Sequence, residues 1–247
     1  MPKSTLQHTS LEVNGQSIPV KVYRESRRSV RFSIGKKAAI LRMPSYLSKE
    51  DQTDQWERFS KWVNKQIVSR PGSENAFGKI YRDGDTLQVG ERQYLLKIAE
   101  TENVNHSGKI EAGRIISLRL AARSNEQQRK RATQHLLSRL VAQDYKPFIT
   151  RRVMELNHLY FQKPVNSVNL KFNRSNWGSC STKSNINLST CLLFAPQDVV
   201  DYVIIHELAH LVEMNHSHRF WALVENAMPD YKEKEQWLKD NWQSCIF

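Results

Sequence analysis

Residues 206–216 read H-E-L-A-H-L-V-E-M-N-H. His206 and His210 are four apart, so on a helix they point the same way, about 40° apart and one turn displaced. Two imidazoles held like this can bind one metal ion, zinc above all, and Glu207 falls beside them as a candidate general base. A catalytic zinc takes three protein ligands and keeps one position for water. His216 is the expected third ligand: Asn215 tolerates the left-handed conformation that ends a helix, and the chain can then turn back towards the metal. Glu213 and His218 are rival ligands. Glu213 sits on the wheel between His206 and His210 one turn on, where a supporting or packing role suits it better than ligation.

The chemistry expected of such a set is metal-assisted hydrolysis, of a peptide bond above all. One Zn²⁺ per chain lowers the pKa of its bound water and polarises a carbonyl. Glu207 takes the water proton and passes it to the leaving amine. For the oxyanion the sequence offers Tyr202, one turn before His206, and also His218, Arg219 and Tyr231; packing against the helix is the plainer role for Tyr202. The histidine spacing equals that of the metzincin H-E-x-x-H-x-x-G-x-x-H, but Glu213 stands in the place of its glycine.

Stepping outward from the motif, Val199, Tyr202 and Val203 extend the histidine side of the helix, while Ile204, Leu208, Leu211 and Val212 fill the opposite side. A helix apolar nearly all round is buried. Histidines and a carboxylate inside it cost free energy without partners, and a metal supplies them.

W-G-S-C-S at 177–181, N-I-N-L at 185–188, Pro196, D-Y-V-I-I-H-E-L-A-H at 201–210, N-H-S at 215–217 and Phe220-Trp221 together resemble the YgjP-like zinc metallopeptidases, relatives of the SprT-like group. The resemblance is strong over residues 165–225. It implies that His206, His210 and His216 bind zinc and that Glu207 is catalytic. Two positions depart from the family pattern: Asn176 precedes the Trp where Arg is usual, and Ser184 stands where Gly is usual. In the W-G-S-C hairpin, Trp177 is expected to pack near the zinc helix and Gly178 to allow a tight bend. Cys180 has no C-x-x-C partner, so a small buried thiol that supports the site is the reading taken, over a metal ligand or nucleophile.

The chain has 247 residues and a net charge of +12. Residues 1–121 hold 21 basic against 13 acidic residues, and residues 122–247 hold 16 against 12. Arg24, Arg27, Arg28, Arg31, Lys36 and Lys37 cluster in the first part and Arg129-Lys130-Arg131 in the second. Such a balance favours non-specific contact with nucleic acid through the N-terminal module, or a merely solvated basic surface. Three cysteines at irregular spacing, no apolar N-terminal segment and no membrane-length apolar run point to a cytoplasmic protein without membrane contact.

The pattern predicts an α+β fold: an N-terminal β-rich module with one amphipathic helix over 1–121, then a compact zincin-like catalytic domain over 122–247 built around the buried H-E-x-x-H helix. Asn14-Gly15 marks a hairpin, and Ser48 opens a helix striped by Trp56, Phe59, Trp62, Val63 and Ile67 and ended by Pro71-Gly72. Short strands return over 79–120. Two helices follow, separated by Pro147. Val168, Leu170 and Phe172 mark a strand, 175–184 a turn, and Ile186 with Leu188 the return strand. Closing helices are expected over 217–228 and 231–244. No internal repeat is visible. An antiparallel edge beside the site would suit peptide binding by strand addition. The competing functions are a nucleic-acid-associated protein with a structural zinc, and a zinc amidase acting on a small molecule. A structural site would need a fourth protein ligand, from His218, Glu213 or Cys180.

Overall fold

A computed structural model describes residues 4–13, 16–35, 38–68 and 79–247. Asn14-Gly15, Lys36, Lys37 and Pro71-Gly72 lie outside the described residues. The chain is a mixed α+β protein that divides into two compact units, Met1–Lys79 and Ile80–Phe247.

In the first unit, β1 (Thr5–Val13), β2 (Gln16–Glu25), β3 (Arg31–Ile34) and β4 (Ala39–Pro44) form a sheet of order β1-β2-β4-β3. Only the central β2–β4 pair is parallel. Strand alternation puts Ile18, Val20 and Val22 on the same face as Leu41 and Met43. That face is covered by α1 (Lys49–Val68), whose Phe59, Val63 and Ile67 recur at helical spacing and are buried with it. Ser48 caps α1 as expected: its Oγ accepts the Asp51 amide at 3.1 Å.

The second unit opens on β5 (Thr86–Val89), β6 (Arg92–Thr101), β7 (Ser107–Glu111) and β8 (Ile115–Ala121). Their order is β5-β6-β8-β7, again with only the central pair parallel. The first four strands and the second four therefore share one topology, and each set is followed by a helix. No sequence repeat announces this, because the shared element is strand pairing and not residue identity. The two-residue β5–β6 connection uses Gly90 at φ +51°, the backbone that a hairpin of this length requires.

Residue 121, where the sequence pattern suggests a division, falls inside the second unit. The inward face of its sheet (Leu87, Tyr94, Leu96, Ile116, Leu118) shares one core with the helices that follow, so nothing separates them. The expected pair of helices around Pro147 is a single helix, α2 (Glu126–Tyr160). Proline inside a helix removes one hydrogen bond and costs about 3 kcal/mol. Tyr145 and Ile149, on either side of Pro147, and Val153 beyond them are buried in the same core, and this packing outweighs the break. Asn125 and Gln128 close a reciprocal capping box at its start, both bonds at 2.9 Å.

A third sheet has order β10-β11-β9, from β9 (Ser167–Lys171), β10 (Gly178–Cys180) and β11 (Asn185–Ser189). Two expectations are corrected here. Part of the region read as a turn is the edge strand β10, and β11 runs parallel to β9 instead of returning along it. A 3-10 turn (Thr190–Phe194) leads into α3 (Gln197–Ala209), followed by α4 (His218–Ala227) and α5 (Tyr231–Asn241), with Pro229 between the last two. No described helix is long and apolar enough to cross a membrane.

Candidate metal centre

Helix α3 is buried over most of its length, because apolar residues surround it on nearly every side. His206 and Glu207 lie in its last turn. The helix stops at Ala209, earlier than the pattern of Leu211 and Val212 suggested, and His210 caps it. The Leu211, Val212 and Glu213 amides bond back to the carbonyls of Leu208 and Ala209, forming a turn that leaves Val212 46% exposed. The chain then reverses through Asn215 and His216 to Ser217, whose hydroxyl caps α4 by accepting the Phe220 amide.

This reversal brings His206, His210 and His216 together, with one ring nitrogen from each lying within 4.8 Å of the others. The Nε2 atoms of His206 and His216 are 3.1 Å apart. His210 Nδ1 is 3.1 Å from the Glu213 carbonyl oxygen, which can only accept, so this nitrogen carries the proton and Nε2 keeps its lone pair. Glu213 thus contributes its backbone, as an orienting acceptor. Its carboxylate and the His218 ring are outside the cluster. Burial, and then the neighbouring His210 and His216, push the His206 pKa down to about 4; burial also lowers that of His210. Imidazoles kept neutral are the form that ligates a metal. His206 Nδ1 is buried with no hydrogen-bond partner among the described residues. Three imidazoles turned towards one another fit a divalent cation.

Phe220 is fully buried and floors the cluster. Its ring centre is 4.5 Å from that of His210, 4.7 Å from His216 and 4.9 Å from His206. Trp221 stands 5.8 Å from His206 and stacks on Tyr231, which stacks in turn on Tyr202. Tyr202 is buried and meets His206 edge-on at 6.1 Å, so its place is in the packing around the ring. Arg219 is exposed at the start of α4. The role of Phe220 was not legible beforehand, although an aromatic pair beginning three residues after a capping serine was a signal that the turn closes over something.

Glu207 is 5% exposed, and burial pushes its pKa up to about 8, opposed only by a hydrogen bond from the Cys180 backbone N–H. Strand β10 runs directly against this carboxylate. A Cβ on Gly178 would lie 2.5 Å from Glu207 Oε1 and 2.7 Å from its Cγ, so only glycine permits the approach. Cys180 is half-buried, and its thiol is pushed up to about 11 by burial and then by the Glu207 charge. It stays protonated at neutral pH and is a poor nucleophile. Trp177 is half-buried against the main core, and its carbonyl accepts the Ser189 amide at 2.7 Å.

The chain is 29% identical over 84 residues to UTP pyrophosphatase of Escherichia coli (strain K12), a match covering 34% of this chain and 50% of that protein. The chain therefore spans about half the length of this curated relative. Among solved structures, the metallopeptidase zymogen of Pyrococcus abyssi abylysin is 27% identical with a TM-score of 0.36, over 40% of this chain and 99% of that one. The zymogen of Methanocaldococcus jannaschii jannalysin is 22% identical with a TM-score of 0.33, over 37% and 93%. The sequence profile of the YgjP-like metallopeptidase domain matches residues 28–241, most of the chain. The chain belongs to the YgjP-like metallopeptidase family.

Proposed function

We propose that the chain is a zinc metallopeptidase in which His206, His210 and His216 hold one zinc ion per chain and Glu207 is the general base. The observation that carries this reading is the convergence of three imidazoles beside a buried carboxylate. A zinc ion held there supplies Lewis acidity, lowering the pKa of water towards about 7 and polarising a carbonyl. Glu207 accepts the proton of the attacking water at its carboxylate and delivers it to the leaving amine. The Cys180 N–H fixes the carboxylate, and Phe220 and Trp221 pack against the imidazole rings. The free edge of β10, antiparallel to β11, suits an extended peptide added as a further strand. The cluster holds three residues among those described, which favours an open catalytic site over a closed structural one.

Elemental analysis of the purified protein beside His206→Ala, His210→Ala and His216→Ala, paired with cleavage of an unstructured protein substrate, tests this reading. One equivalent of zinc in the wild type and marked loss of both metal and cleavage in each variant are expected. Full zinc in His216→Ala would remove it from the ligand set.

A second reading, hydrolysis of a nucleoside triphosphate at the same residues, is favoured by the match to UTP pyrophosphatase and by the +12 net charge. Pyrophosphate release from UTP, with no cleavage of protein substrates, would install it in place of the first.

A further inference from the structure

Away from the histidine cluster, α2 and the edge strand β9 bound a groove of about 420 Å³. One face of α2 lines it at helical spacing, with His135, Arg139 and Lys146, and Lys171 faces them from β9. All four are exposed. No carboxylate lines the groove among the described residues. Three other cations of the same helix are matched: Arg129 pairs with Glu100, Arg151 with Glu155, and Arg152 with Glu155 and Asp201. None of the three groove cations, Arg139, Lys146 and Lys171, forms an ion pair among the described residues. Confining cations of one sign to a concave surface focuses its field.

We propose that this groove binds the backbone of a single-stranded nucleic acid. The spacing of the cations selects a chain of phosphates over a single phosphate. Arg139 and Lys146 are seven residues apart, which is about 10 Å along the helix axis, more than one phosphate spans. The rest of the lining suits nucleotides. Phe172 is 37% exposed at the groove wall and held edge-on by Phe247 at 6.2 Å, a fixed ring on which a base can stack. Asn169 and Gln143 bring amides that can meet base edges. The polar floor is already satisfied, since the Ser138 and Thr190 hydroxyls bond each other at 2.7 Å, so contacts to a ligand fall to the rim. The groove shares no residue with the histidine cluster, and this proposal stands apart from the peptidase reading.

Fluorescence anisotropy of a labelled oligothymidylate, at several salt concentrations, tests it. The full chain is compared with Arg139→Gln/Lys146→Gln/Lys171→Gln, whose exposed positions leave the core untouched. Binding should weaken at least ~10-fold in the triple variant, and the log–log salt slope should fall by about 2, as three single-strand phosphate contacts are lost. Phe172→Ala should weaken binding without changing the slope. Binding should survive in His206→Ala, which separates this site from the metal centre. Unchanged affinity and slope in the triple variant would overturn the proposal, as would loss confined to Arg27→Gln/Arg28→Gln/Arg31→Gln in the first unit. Displacement by free UTP at equal nucleotide concentration would also overturn it, by making the groove a mononucleotide site.

Discussion

Helix α3 buries two carboxylates six residues apart, Asp201 at 7% exposure and Glu207 at 5%. They are handled in opposite ways. Asp201 receives Arg152 Nε at 2.9 Å and Nη2 at 2.7 Å, a bidentate grip from α2, and Gln197 Nε2 at 2.8 Å. Glu207 receives one backbone N–H, from Cys180, and its pKa is pushed up to about 8. A buried charge with a full set of partners ties two helices together. One left almost bare against a strand edge is the group proposed to exchange a proton. The same contrast separates the imidazoles of His210, oriented by Glu213, and His206, whose Nδ1 has no partner among the described residues.

The largest effect should come from the bare carboxylate. Glu207→Gln keeps the shape of the side chain and removes the proton acceptor, so hydrolysis should fall by about 10²–10⁴-fold while metal content and melting temperature stay near wild type. Undiminished turnover by the zinc-loaded variant would deny Glu207 the role of base. Asp201→Asn is the counterpart. It leaves Arg152 facing an amide and should cost about 2 kcal/mol in denaturant unfolding, less than a fully buried pair because the Arg152 side chain is 32% exposed. Metal content per folded molecule should not change. If Asp201→Asn instead abolished turnover without loss of stability, the division into a structural and a chemical carboxylate would fail.

Gly178→Ala probes how closely β10 and Glu207 are fitted. The added methyl would overlap Glu207 Oε1, Cγ and Cδ, all under 3 Å away, and the carboxylate cannot move freely in a buried setting. A cost of about 1–3 kcal/mol is expected, together with loss of activity, since Glu207 must leave its position to make room. Retention of full activity would show that the orientation given by β10 is dispensable.

The residues proposed to carry the chemistry were legible because they crowd one motif whose spacing matches the helix repeat. What surrounds them was not. Strand β10 is three residues long, too short for alternation to reveal, so the contact of Gly178 with Glu207 emerges only when the third sheet is assembled. The end of α3 at Ala209 was masked by Leu211 and Val212, which continue the apolar pattern into a turn. Pro147 misled in the other direction, because tertiary packing keeps α2 continuous across it. The shared topology of the first two sheets is likewise a property of long-range pairing, beyond the reach of local pattern.

The smallest effect concerns a third carboxylate, Asp144 on α2, which extends the comparison to a partnered group nearer the surface. Tyr94 Oη donates to its Oδ2 at 2.5 Å and Arg92 Nη1 at 2.7 Å. Burial alone would raise its pKa, but the hydrogen bonds from Tyr94 and Arg92 and the Arg92 charge outweigh it and hold the group below the usual carboxylate range. A carboxyl whose folded pKa is depressed adds stability that is fully present above its unfolded value, near pH 4, and is lost as pH falls towards the folded one. Asp144→Asn should therefore cost about 1 kcal/mol at neutral pH, the scale of a partly exposed ion pair. The difference between wild type and variant in denaturant midpoint should shrink steadily below about pH 4. A difference that stayed constant down to pH 3 would mean that Asp144 acts through packing and not through its charge. Asp201 would then be left as the clearer example of a carboxylate used to hold the fold.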